Sequence, residues 1–145
     1  HPRSQRRLGG YRAAMEQAGR CDPRRVTTTP LLSSVTLGRE LLRDALAKMP
    51  ALDGVFCNND DIALGVLFEC HSAALNVPKT IGIVGFNDLE MMQAAFPPLT
   101  SIRTPRYEIG RRSVAMALAA IAGRRPEQRV VDLGFELKPR ESTAR

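Results

Sequence analysis

The sequence predicts an α/β domain built on a parallel, doubly wound sheet. Two observations carry this expectation. Short apolar runs alternate with helical patterns along most of the chain. The run Ile81 to Phe86 also lacks polar alternation, as in a strand with both faces covered. With 145 residues, 43% of them hydrophobic, the chain can bury one core of its own.

The first element is an amphipathic helix, with Leu8, Tyr11, Met15 and Ala18 on one face and Arg3, Arg6, Arg7 and Arg12 largely elsewhere. Gly19 falls where that helix should stop. A β-branched run, Val26 to Thr29, reads as a strand cut off by Pro30. A second helix follows, with Leu37, Leu41, Leu42, Ala45, Leu46 and Met49 as its apolar stripe, and ends before Pro50. Gly54 to Cys57 forms the next strand, and Asn58 to Asp61 supply caps for a well-buried helix from about Ile62 to Ala74.

After Pro78 come the Ile81–Phe86 strand, a short helix near Asp88 to Ala95, the Pro97-Pro98 break and a strand from Leu99 to Arg103. Thr104 as cap and Pro105 at the first helical position open a long helix closing near Gly123. Val130 to Leu133 and Phe135 to Leu137 read as extended segments meeting at Gly134, followed by a polar tail.

Composition narrows the functional classes. The net charge of +6 comes mostly from arginine, spread along the chain with few aromatic residues between, unlike a nucleic-acid face that stacks bases. Cys21, Cys57 and Cys70 have no CxxC spacing and read as reduced, half-buried thiols, with no metal site or cofactor implied. No apolar run approaches the roughly 20 residues that span a bilayer, and no leader pattern precedes the first helix, so the expected compartment is the cytoplasm. Because the first residue is His1, a leader removed earlier is compatible with this reading.

Ligands of open α/β sheets bind beyond the carboxyl ends of the strands. Two such ends here are rich in polar groups: Cys57-Asn58-Asn59-Asp60-Asp61 and Gly85-Phe86-Asn87-Asp88. Clustered amides and carboxylates suit a sugar or polyol, although Asn and Asp are equally the favoured helix caps. A catalytic or magnesium centre at Asp60 and Asp61 fits less well. Adjacent helical residues point about 100° apart, no Lys, Ser or Thr constellation completes such a site, and His1 and His71 have no partner nearby in sequence.

The ordered motifs resemble the lactose-repressor family of bacterial regulators over nearly the whole length. They are Arg7-Leu8-Gly9-Gly10-Tyr11-Arg12-Ala13-Ala14-Met15, the stretch Asp53 to Gly65, Val77-Pro78, Ile81 to Asp88, Pro98 to Ile102 and Pro139 to Thr143. The resemblance implies a periplasmic-binding-protein-like type I fold, with two α/β subdomains joined by three crossing strands and an effector in the cleft. Residues 1–98 and 129–145 would then form the C-terminal subdomain, and 99–128 a crossing strand and helix belonging to the N-terminal one. The helix-turn-helix headpiece and most of the N-terminal subdomain would be absent. The helix from Pro105 to Gly123 would have lost its neighbours, and is expected to fold back onto this sheet or pack against another copy.

The resemblance also implies site roles. Arg7 matches the arginine that reaches into the cleft for a ligand hydroxyl or carboxylate. Asn59 and Asp60 match a strand-end pair of which the first contacts sugars and the second mainly caps the helix. Ser33 stands where the family often carries a stacking aromatic residue, which argues against a flat ligand. Asn87 stands where many members have an aspartate; an amide there removes a negative charge beside Arg7 and favours an anionic effector. Gly85 to Leu89, Thr104-Pro105-Arg106 and Val131 to Phe135 resemble the gluconate-operon repressors, so gluconate or another sugar acid is the expected ligand.

The function this implies is allosteric sensing without catalysis, in a cytoplasmic homodimer that contacts operator DNA only through the headpiece. Half a cleft should bind effector weakly, and DNA not at all. A periplasmic sugar-binding protein, which shares the fold, is the alternative, followed by a sugar-phosphate-processing enzyme.

Overall fold

The computed structural model describes residues 2–124 and 128–144. Among them the elements run α1 (Pro2–Gln17), α2 (Val35–Lys48), β1 (Gly54–Phe56), α3 (Asp60–Ser72), β2 (Gly82–Asn87), α4 (Met91–Ala94), β3 (Thr100–Arg103), α5 (Arg106–Ile121) and β4 (Glu136–Lys138). Single 3₁₀ turns lie at Pro23–Arg25 and Glu141–Thr143. The sheet order is β1-β2-β3-β4, with the first three strands parallel and β4 antiparallel at the edge. Val55 pairs with Ile83, Val84 with Thr100 and Ile102 with Leu137. The α/β parallel sheet expected from the alternation is thus present.

Local chemistry explains the helix ends that frame the core. The Ser34 side chain accepts the Leu37 N–H at 3.1 Å to start α2, and Pro50 follows the C-terminal residue Met49. Asn59 starts α3 in the same way, accepting the Ile62 N–H at 3.0 Å. Leu37 and Leu42 of α2 and Ile62, Ala63, Val66, Leu67 and Cys70 of α3 then pack with Ile81, Ile83, Met92 and Leu99 as one cluster. Glycine allows the two helices to approach backbone to backbone, Gly38 lying against Ile62 and Gly65 against Val35.

Burial on β2 alternates, which the sequence did not suggest: Ile83 and Gly85 are buried, whereas Val84 and Phe86 are half-buried. Gly85 faces Ala63 and Met92, so α3 and α4 cover that face of the sheet and the opposite face is less covered.

Several local expectations are corrected. Val26 to Thr29 does not join the sheet; Val26 is extended, but its N–H goes to the Pro23 carbonyl rather than to a ladder. Val130 to Leu133 is likewise unpaired; the Gly134 N–H bonds the Asp132 carboxylate at 2.8 Å, and Gly134 turns the chain at φ +68. Pro105, not Thr104, is the N-cap of α5, and no side chain caps it. Cys57 and Cys70 are fully rather than half-buried, and Cys21 is exposed. Burial pushes the Cys57 thiol up to about 12, aided by the charge of Asp60, and Cys70 up to about 11, aided by Glu69.

The polar tail is not a solvated one. Ser142 is fully buried, its Oγ accepting the Thr100 N–H at 2.8 Å and donating to the Ile83 carbonyl at 2.7 Å.

The helix expected to fold back does not do so, since no residue of α5 is buried and Val114, Leu118 and Ile121 are 59%, 60% and 84% exposed. Ion pairs within α5 support the helix locally. Glu108 pairs with Arg111 and Arg112 one turn on, and those hydrogen bonds hold its carboxyl down at about 2.

Candidate functional site

The carboxyl ends of β1, β2 and β3 come together, and residues from both ends of the chain converge on them. From α1, Arg7 lays its guanidinium over the Phe86 ring, 3.7 Å from the centroid. Its Nη1 donates to the Asn58 carbonyl at 2.7 Å and to Asn58 Oδ1 at 3.3 Å. Asn58 Nδ2 donates back to Ser4 Oγ at 3.2 Å, which closes a two-way tie between α1 and the β1–α3 junction. Burial, and then the charge of Arg3, lower the Arg7 pKa, yet an arginine stays charged at neutral pH. Its Nε and Nη2 make no hydrogen bond to the described residues, which leaves part of a planar donor fork for another acceptor.

The structure corrects the role expected of Asp60, which does not supply the cap of α3. Asn59 is the cap of α3, with its carboxamide nitrogen making no hydrogen bond to the described residues. Asp60 is fully buried beneath β2, its Oδ2 accepting the Leu89 N–H and its Oδ1 the Ser101 hydroxyl, both at 2.7 Å. A Cβ at position 85 would lie 2.4 Å from Asp60 Oδ1, so a glycine is needed there for this carboxylate to fit. Asp60 therefore supports the strand ends and does not face a ligand, the charge being tolerated because both oxygens are satisfied.

Asn87 ends β2, and both it and Asp88 have positive φ, 122 and 55. Asn and Asp tolerate that region better than other side chains, which is a conformational reason for the pair. The Asp88 carboxylate is buried between two arginines, Oδ2 accepting from Arg103 Nε at 2.7 Å and Oδ1 from Arg140 Nη2 at 2.6 Å. Burial alone would raise its pKa; the hydrogen bonds from Arg140 and Arg103 outweigh it, and the net shift is downward. Ser33 is exposed on the loop before α2, and no hydrogen bond or ion pair joins it to the other candidates.

The geometry thus brings together Arg7, Asn59 and Asn87 at neighbouring strand ends, places Asp60 below them and leaves Ser33 outside. Asn58 and Phe86 lie in the strand ends the sequence singled out, without a role of their own there, and Ser101, Arg103 and Arg140 were missed. A charged residue ending an apolar strand, as Arg103 does, was the available signal for one of them; nothing local marks Arg140, which meets Asp88 from 52 positions away. No cluster of His, Cys, Asp or Glu among the described residues could hold a metal ion.

The carboxyl edge of the sheet thus gathers charged and amide groups of the kind that bind small ligands. The chain belongs to the periplasmic binding protein-like domain family, whose model matches residues 1–143. Its relatives are LacI-family transcriptional regulators rather than enzymes. It is 48% identical to the HTH-type transcriptional regulator GntR of Pseudomonas aeruginosa, over 92% of this chain and 39% of that protein. Among solved structures it is similar to the transcription regulator GntR of Chromobacterium violaceum, with 40% identity and a TM-score of 0.92 over 97% of this chain and 52% of that one. It is also similar to the transcriptional regulator CelR in a cellobiose complex, with 29% identity and a TM-score of 0.86 over 94% of this chain and 41% of that one. The chain therefore spans about two fifths of the curated relative's length. No helix of the described residues is long and apolar enough to cross a membrane.

Proposed function

We propose that this chain is the effector-sensing part of a LacI-type transcriptional regulator whose ligand is a sugar or sugar acid, gluconate foremost. The carrying observation is Arg7, which bridges the ends of β1 and β2 while keeping part of its donor fork unspent. A carboxylate takes two parallel N–H bonds from such a fork, whereas a neutral hydroxyl uses only part of it. Asn59 and Asn87 add carboxamides for hydroxyl groups, and an amide at 87 puts no carboxylate in competition with an anionic ligand. Ser33 offers no ring for stacking, which fits an open-chain sugar acid better than a flat ring.

In this reading residues 1–98 and 129–145 are one subdomain, and 99–128 belong with a second that supplies the other wall of the cleft. The exposure of Val114, Leu118 and Ile121 on α5 supports that division. The effector shifts the balance between two arrangements of the subdomains in a cytoplasmic homodimer, and a separate headpiece converts that shift into a change in DNA affinity.

The test is calorimetric titration of the intact protein carrying this chain with gluconate, glucose and ribose, for wild type and Arg7→Ala. Binding of gluconate alone, lost in the variant, is expected. Binding of the neutral sugars alone, or an Arg7→Ala protein that binds gluconate as well as wild type, overturns the assignment.

A further inference from the structure

The turn after β2 uses nearly every polar group it has. The Asp88 carboxylate is held by Arg103 and Arg140. The Asp88 N–H goes to Ser101 Oγ at 3.1 Å, the Asp88 carbonyl accepts from Arg106 Nη2 at 3.4 Å, and the Leu89 N–H goes to Asp60. Ser101 joins the Asp60 carboxylate to the backbone of the turn, donating to Asp60 and accepting from the Asp88 N–H. One polar side chain of the turn is left over, since the Asn87 carboxamide makes no hydrogen bond to the described residues. Two consecutive non-glycine residues at positive φ need such bracing, because that backbone is unfavourable unless its surroundings fix it.

Arg140 does more than neutralise Asp88. Its Nη1 donates to the Leu99 carbonyl at 2.6 Å while Nη2 holds Asp88, so one planar guanidinium ties the start of β3 to the turn after β2. Its own backbone is anchored: the Arg140 N–H bonds Thr100 Oγ1 at 2.8 Å, and the buried Ser142 two residues on is fixed to Thr100 and Ile83. The C-terminal segment is therefore a brace on the strand end that carries Asn87.

We propose that Arg140, together with Arg103, is a positioning residue for the effector: by clamping the Asp88 carboxylate it holds the Asn87 carboxamide in place for ligand, so that affinity depends on the C-terminal segment. This rests on the reading that Asn87 meets the effector. A lysine at 140 keeps the charge but cannot reach Leu99 and Asp88 together in a fixed plane, so Arg140→Lys restores only part of what Arg140→Gln loses.

The test uses the intact protein carrying this chain, with D-gluconate as probe, and measures calorimetric affinity, thermal midpoint and hydrogen exchange of the Asp88 and Leu89 amides. Arg140→Gln should weaken gluconate binding about tenfold and speed exchange at both amides. In an Asn87→Ala background it should cost no further affinity, because an arm that acts through Asn87 has nothing left to position. Arg140→Lys, milder and folded, carries the test if Arg140→Gln does not fold.

Unchanged amide exchange, or losses that add in the double variant, overturns the positioning role and leaves the effector site standing. An Asn87→Ala protein that binds gluconate like wild type, with exchange still faster in Arg140→Gln, overturns the role of Asn87 itself and with it the positioning proposal. The exchange arm thus separates failure of the clamp from failure of the site.

Discussion

Replacing Gly65 by alanine should destabilise the domain, although alanine is the better helix former. In an open helix the change stabilises by about 1 kcal/mol, because glycine loses more backbone entropy on folding. At position 65, however, the added Cβ would lie 2.1 Å from the Val35 carbonyl oxygen and 2.8 Å from the Gly38 Cα, both backbone atoms of α2. Gly38 meets α3 closely too, an added Cβ there falling 2.4 Å from the Ile62 carbonyl oxygen, so α2 cannot slide aside without pulling Leu42 from the cluster it shares with Val66. Overpacking of this kind costs about 1–3 kcal/mol, and backbone neighbours on both sides put it at the upper end. The net expectation is a loss of about 2 kcal/mol, or about 6 °C in midpoint for a chain of this length. Urea and thermal unfolding followed by far-ultraviolet circular dichroism measures it, with Gly110→Ala as the control, because nothing lies within 4 Å of a Cβ there. Gly110→Ala should raise helicity without lowering the midpoint. If Gly65→Ala unfolded at the wild-type midpoint, the close approach of α2 and α3 would not be real.

The remaining expectations concern ionisable groups. The folded pKa of Asp88 is depressed, so its ion pairs add stability above the unfolded value near 4, and that stability is lost as pH falls through the folded value. Asp88→Asn should therefore be less stable than wild type at pH 7 by about 2 kcal/mol, the size of lost hydrogen bonds to a charged group, with the gap closing below about pH 4 in urea titrations; a gap independent of pH would contradict the clamp. Cys57 and Cys70, pushed up to about 12 and about 11, should resist a maleimide at pH 8 in the folded protein while exposed Cys21 reacts, so mass spectrometry should show one adduct before unfolding and three after.

The parts of the fold legible in the sequence were those that depend on neighbours in the chain. Periodicity located α2 and α3 to within a few residues, because each buries a face whose spacing the sequence states directly, and an unbroken apolar run located β2. Val26 to Thr29 and Val130 to Leu133 have the same β-branched character as true strands, yet they remain outside the sheet. A strand exists only where a partner offers its carbonyls and amides, and that is a tertiary fact. Thr104 shows the same limit at a helix end, where a good capping residue lost its place to the proline after it.

The site divides along the same line. Asn59 and Asn87 could be proposed because strand ends can be read locally, and Arg7 because a family pattern marks it. Which of two adjacent polar residues caps the helix depends on the path of the chain beyond them, so the cap expected of Asp60 is supplied by Asn59. Asp60 is drawn inward by the Leu89 N–H and the Ser101 hydroxyl, donors that lie 29 and 41 positions away. The bracing of Asn87 was invisible for the same reason. Its parts come from α3, β3 and the C-terminal segment, and only folding brings them around one turn. A buried charge is tolerated only when all its partners arrive together, so the residues that fix this site are the ones that local sequence is least able to reveal.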